Sequence, residues 1–274
     1  MLRTLKDIES YRVSAADGDI GKVSDFYLDD DRWTIRYLVV DTGGFWDGPH
    51  RVLVSPISFR QAEWSTRRFH LALDRAKIRN SPTVDLNKPV SRQYEQAYHH
   101  YYGWAPYWGF GGSWDWGLGS TPGALAGSTW EDERAIVKDP NGDPDLRSAK
   151  EIVGYHLKNG NESLGYIADL IVDDETWAIR YWVIDTHKWW PGKKVLVAPS
   201  WAAEVNWAER TVYADVSKET IKDSPPWNPD MPVNREYEMR LYDYHGQPAY
   251  WLDTERAKEK PPIGALPAEN YVLT

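Results

Sequence analysis

DDDRWTIRYLVVDT, residues 29–42, returns as DDETWAIRYWVIDT at residues 173–186. Each copy reads as an acidic turn followed by a strand. In the first copy IGKVSDFYLDD (20–30) precedes the turn, so a β-hairpin turning at Asp30–Asp31–Arg32 is the natural reading. The strand after the turn is apolar on both alternating sets. Ile35, Tyr37 and Val39 form one set and Leu38 and Val40 the other. Both faces are therefore expected to be covered, one by a barrel interior and one by something packed outside.

The similarity extends well beyond this block. LRTLKDIESY (2–11) recurs as LRSAKEIVGY (146–155), VLVSP (52–56) as VLVAP (195–199), and PVSRQYE (89–95) as PVNREYE (232–238). The offset is 144 up to residue 42 and 143 from residue 52, and more than a third of the aligned positions agree. A period this long marks two tandem domains and not a solenoid of small units. The alignment also divides the aromatic stretch HHYYGWAPYWGFGGSWDWGLG (99–119), because YYGWAPYW falls on YHGQPAYW (244–251). The expected organisation is a first domain over 1–108, a linker over 109–145, a second domain over 146–251 and a polar, Pro-containing tail over 252–274. The linker is glycine-rich and aromatic, then acidic.

Within each copy the pattern is mostly strand. RQAEWSTRRFHLAL (60–73) reads as a second hairpin around Ser65–Thr66. Asp74 and Ser217 read as N-caps of a short helical turn stopped by Ser-Pro, and Ser91 and Asn234 as caps of a longer helix. On that helix Tyr94, Ala97, Tyr98 and Tyr101, and in the second copy Tyr237, Leu241 and Tyr244, form an apolar stripe. The fold class expected is mainly β: two tandem small β-barrels, each followed by a short helix.

Composition narrows the function classes. The chain of 274 residues has 16 Trp and 17 Tyr against 5 Phe, a bias toward side chains with an apolar body and a polar handle, suited to interfaces. It has no cysteine, which excludes disulfides and thiolate chemistry. The net charge of −9 gives no basic surface for nucleic-acid binding. MLRTLKDIESYRVS lacks the apolar run of a signal peptide, and no window approaches a membrane-spanning length. A cytoplasmic protein without membrane insertion is expected.

A Gly-x-x-x-Asp strand (Gly21 to Asp25, Gly165 to Asp169), the block carrying Trp33, Arg36 and Asp41 (Trp177, Arg180 and Asp185), VLV-x-P and the later Ser-Pro together resemble the PRC-barrel domain family. That family takes its name from the cytoplasmic barrel of the photosynthetic reaction-centre H subunit and includes the C-terminal domain of the ribosome maturation factor RimM. The resemblance implies small β-barrels and a protein-binding or assembly role without catalysis or cofactor. The layout is similar to that of stand-alone tandem bacterial proteins. With no transmembrane helix or further domain expected before the first copy, neither the H subunit's partner nor RimM's is expected to transfer. The resemblance leaves an accessory role on a photosynthetic or other electron-transport complex, peripheral to the membrane, and a ribosome-associated role as alternatives.

The candidate residues each have a plain reading beside a functional one. The acidic clusters Asp29–Asp30–Asp31 and Asp173–Asp174–Glu175 could ligate a hard cation, but lack calcium-loop spacing, and a solvated turn is preferred. Asp25 and Asp169 are expected to brace the barrel by pairing with Arg36 and Arg180. His99 and His100 are adjacent and point apart on a helix, so no histidine metal site is expected. No nucleophile elbow or phosphate loop occurs. Trp46, in GGFWDGPHR (43–51), and Trp189 and Trp190, in HKWWPGKK (187–194), sit in loops beside glycine, proline and cations. They are the candidate partner-binding residues, with packing on the barrel rim or between the copies as the alternative. A protein partner and self-association into a homo-oligomer are the expected partnerships.

Overall fold

In the computed structural model the described residues are 1–44, 51–82, 90, 92–107, 146–186 and 193–252. The first repeat contributes β1 (Leu2–Thr4), α1 (Leu5–Ile8), β2 (Arg12–Ala15), β3 (Gly18–Asp29), β4 (Thr34–Asp41), β5 (Arg51–Val54), β6 (Phe59–Glu63), β7 (Arg68–Leu71), α2 (Arg75–Arg79) and α3 (Arg92–Tyr102). The second contributes β8 (Leu146–Ser148), α4 (Ala149–Ile152), β9 (His156–Asn159), β10 (Glu162–Asp173), β11 (Ile179–Asp185), β12 (Lys194–Val197), β13 (Ala202–Asn206), β14 (Thr211–Ala214), α5 (Lys218–Asp223) and α6 (Arg235–His245). The protein is mainly β, as its hairpin signals imply.

There are two seven-stranded sheets. Six strands of each come from one repeat, in the orders β5-β4-β3-β2-β7-β6 and β12-β11-β10-β9-β14-β13. The seventh comes from the other repeat. β1 pairs antiparallel with β10, Leu2 opposite Asp173 and Thr4 opposite Ile171, while β8 pairs with β3, Leu146 opposite Asp29 and Ser148 opposite Tyr27. The arms that open the two repeats are thus exchanged between the sheets. Among the described residues no pairing closes β5 onto β6 or β12 onto β13, and each sheet carries one donated strand.

β3 and β4 form the long hairpin expected from the acidic turn, but two irregularities change which side chains face inward. Tyr27 lies opposite Tyr37 and Leu28 opposite Ile35, which leaves Arg36 as an extra residue in a β-bulge; Ile171–Tyr181 and Val172–Ile179 leave Arg180 in the same place. The bulge resets the alternation. Ile35, Leu38 and Val40 join the central core, while Tyr37 and Val39 pack outward with Tyr98 and Tyr102 of α3. Simple period-two counting had grouped Ile35 with Tyr37 and Val39, and the bulge separates them. The expectation that both faces of β4 are covered holds, since Thr34 through Val40 are all buried.

Gly21 and Gly165 have a steric role. A Cβ at Gly21 would fall 2.0 Å from the Asp41 carbonyl oxygen and one at Gly165 2.5 Å from that of Asp185. The strands approach too closely at these points for any side chain, and Asp41 and Asp185 supply the opposing backbone.

The helix caps are as the sequence indicates. Asp74, Ser217 and Asn234 accept the N–H groups of Lys77, Thr220 and Tyr237, and Gly246 ends α6 in the left-handed conformation. Ser91 lies outside the described residues. The buried stripe of the long helices differs from the tyrosine stripe by about one position. Glu95, Tyr98, His99 and Tyr102 are buried in α3, and Glu238, Leu241 and Tyr242 in α6, while Ala97 and Tyr244 are exposed. A glutamate at the centre of a buried face is what a polarity-based stripe misses.

Candidate functional site

The residues that recur in both copies converge on the junction between them. Arms, acidic turns and tryptophans meet there about a pseudo-twofold axis. Thr34 bridges Ala178, flanked by Ile35 N–H donating to Trp177 O (2.8 Å) and Ile179 N–H donating to Trp33 O (2.6 Å). Trp33 and Trp177 take left-handed backbone conformations, φ 49° and 60°, rarely adopted by bulky residues. That geometry turns each indole across the junction. Trp33 lies edge-on to Trp182, centroids 4.8 Å apart, and over Trp207; Trp177 lies against Phe59 and Phe69 of the first repeat. One apolar cluster consequently contains buried residues of both repeats.

The acidic turns are not simply solvated. Asp29 is only 7% exposed and its carboxylate pairs with Arg36 at 2.8 Å while accepting the N–H groups of Asp31 and Arg32. Asp173 pairs with Arg180 at 3.2 Å. Burial raises the Asp173 carboxyl, but the Glu175 N–H and Arg180 outweigh it and hold the group below its ordinary value. The next acidic residue in each turn grips the incoming arm. Asp174 pairs with Arg3 at 2.8 Å and with the N-terminal ammonium of Met1, and Asp30 pairs with Arg147 at 3.2 Å. Arg3 also stacks on Trp64 and Arg147 on Trp207, at 4.0 and 4.3 Å from the ring centroids. Each arm arginine thus joins its own repeat to the other.

Asp25 and Asp169 do not pair with Arg36 and Arg180. The register sets Asp25 opposite Val39, and the arginines in their bulges reach Asp29 and Asp173 instead. Asp25 receives the arm of the second repeat, accepting from the Ser148 hydroxyl at 2.6 Å and the Lys150 N–H at 3.3 Å. Asp169 receives the arm of the first, accepting the Lys6 N–H at 3.3 Å. Burial pushes both carboxyls up, Asp169 to about 6. Asp25 is further held by the Ser148 hydroxyl, which favours its ionised form.

A second paired constellation locks each long helix to its sheet. The hydroxyls of Tyr37 and Tyr107 donate to Glu95 Oε1 at 3.2 and 2.7 Å, and those of Tyr181 and Tyr250 to Glu238 Oε1 at 2.7 and 2.9 Å. Arg36 lies over the Tyr107 ring at 3.8 Å and Arg180 over Tyr250 at 4.1 Å. Tyr107 and Tyr250, which follow the helices at equivalent positions of the aligned YYGWAPYW and YHGQPAYW, therefore fold back onto the sheets. Glu95 and Glu238 are the last residues of the recurring PVSRQYE and PVNREYE blocks, and that recurrence is their signal in the sequence.

Trp46, Trp189 and Trp190 lie outside the described residues. The strands carrying their loops are described, and Asp41 and Asp185 stand at the ends of β4 and β11 away from the Thr34–Ala178 bridge. Seven residues of strand at about 3.3 Å each separate the loop root from the junction by roughly 20 Å. Among the described residues no set of three His, Asp or Glu side chains could hold a metal ion, and no helix is long and apolar enough to cross a membrane.

These features define a duplicated β protein whose halves are stitched together by exchanged strands. Residues 3–66 match the PRC-barrel domain family. The match lies within the first repeat, and the second repeat, which it does not cover, reproduces the same sheet strand for strand. No curated protein matches the chain.

Proposed function

We propose that the protein is a non-enzymatic assembly module in which the interleaved sheets form a rigid double-ended scaffold. The loops after β4 and β11 then present Trp46, Trp189 and Trp190 to a protein partner. The observation that carries this reading is the use of the buried and half-buried acids. Asp25, Asp29, Asp169 and Asp173 hold arms and turns, and Glu95 and Glu238 hold tyrosines, so the groups best suited to acid–base work serve the scaffold. Placing the loop roots away from the junction leaves both ends of the scaffold for partners. In sequence, tryptophan beside cations is the composition of interaction hot spots.

Affinity capture from the native cell with wild-type, Trp46→Ala and Trp189→Ala/Trp190→Ala proteins tests this. The reading expects at least one variant to lose a partner that the wild type retains. Equal recovery of every partner by all three would contradict it. Recovery of subunits of an electron-transport complex would support the peripheral accessory role, and recovery of ribosomal proteins the ribosomal one.

A further inference from the structure

The strand pairings, the arm ion pairs and the hydrogen bonds flanking the central bridge between the repeats are each made twice by equivalent residues, whereas Trp33 and Trp177 meet different rings. LRT of the first arm lies on β10 in the register in which LRS of the second lies on β3. Arg3 meets Asp174 as Arg147 meets Asp30, and the Lys6 N–H meets Asp169 as the Lys150 N–H meets Asp25. Nothing in such a contact requires both halves to belong to one chain. We propose that this junction is also a self-assembly interface whose partner is a second copy of the same chain. Repeat 1 of one copy engages repeat 2 of the other, both arms are exchanged between chains, and the result is a closed dimer.

Two features support this partner. The segment joining the repeats, residues 108–145, would reach on the order of 100 Å if extended, ample to carry repeat 2 to a neighbouring molecule. The dimer and the monomer also contain the same junctions, so neither form gains contacts over the other. What separates them is the effective concentration that one chain provides to its own halves, on the order of 1 mM when two modules are joined through a short flexible segment. The monomer then dominates at micromolar concentration, and the dimer fills as the concentration during folding approaches the millimolar range. Once formed, its interleaved arms trap it.

The absence of cysteine makes the test clean. Thr34→Cys chains with one tag and Ala178→Cys chains with another are unfolded together, refolded at about 1 mM and at about 1 µM, and oxidised. The proposal expects a species of twice the chain mass at the high concentration, carrying both tags and a disulfide between positions 34 and 178, and monomer at the low one. Differently tagged wild-type chains report the same mixing by native mass spectrometry without substitution. Monomers alone at both concentrations, or a mixed-tag dimer lacking the 34–178 disulfide, would overturn the proposal.

Discussion

Replacing Asp169 by Asn removes a charge that the junction holds half-buried while keeping an oxygen to accept the Lys6 and Leu170 N–H groups. The folded-state pKa of Asp169 is lifted from 3.8 to about 6, chiefly by burial. For an acid, a raised folded pKa means the ionised form is disfavoured by folding. The penalty is absent below about pH 4, where folded and unfolded chains are both protonated. It grows as pH rises between the two values and is complete above about pH 6. At 1.36 kcal/mol per pKa unit the ceiling is about 3 kcal/mol, and the open groove beside Lys6 and Lys150 reduces it toward about 1–2 kcal/mol. Urea unfolding of wild type and Asp169→Asn from pH 4 to pH 8 reads this directly. The variant should be more stable at pH 7.5 and indistinguishable at pH 4. A gain that does not depend on pH, or no gain at pH 7.5, would refute the reasoning.

Other perturbations follow from the same geometry. Gly21→Ala places a methyl 2.0 Å from the Asp41 carbonyl oxygen and should destabilise by about 1–3 kcal/mol or more, with Gly165→Ala alike, both measured by thermal unfolding. Trp177→Ala, which empties the wedge against Phe59 and Phe69, should lower stability by about 3–5 kcal/mol in denaturant titration. Arg36→Met alone should cost about 3–5 kcal/mol by stranding the buried Asp29, and the added Asp29→Asn should recover part of it in a double-mutant cycle; strict additivity would contradict the pair. Ser10→Gly should stabilise by about 1 kcal/mol, because Ser10 holds φ 72° where the second repeat has Gly154 at φ 97°.

Much of the fold was legible in the sequence because it was written locally. The acidic turn, the Ser65–Thr66 hairpin, the Asp74, Ser217 and Asn234 caps and the glycine stops depend on neighbours in the chain. Three features did not show. The bulge at Arg36 inverts the faces of β4, and no count of alternating polarity detects an extra residue. The buried helix stripe passes through Glu95, which any polarity scale assigns to solvent although two tyrosine hydroxyls satisfy it. The exchange of arms was hidden by the duplication itself. LRTLKDI and LRSAKEI are nearly the same sequence, and so are the strands that receive them, so each arm fits either repeat equally well on paper. For the candidate site, the recurring residues were found and their partners were not. Asp25 seemed matched to Arg36 because both lie in one hairpin, whereas its donors, Ser148 and Lys150, come from 123 and 125 positions away.

The central claim is that the two repeats interlock through the exchanged arms and the Trp33 and Trp177 turns. The Thr34–Ala178 pair lies at the middle of that junction and has the close, non-hydrogen-bonded antiparallel geometry that accepts a disulfide. The double variant Thr34→Cys/Ala178→Cys, oxidised at micromolar concentration in this otherwise cysteine-free chain, should give a monomer with one internal 34–178 disulfide and a raised melting temperature. Two thiols that stay free in the folded protein would contradict the account.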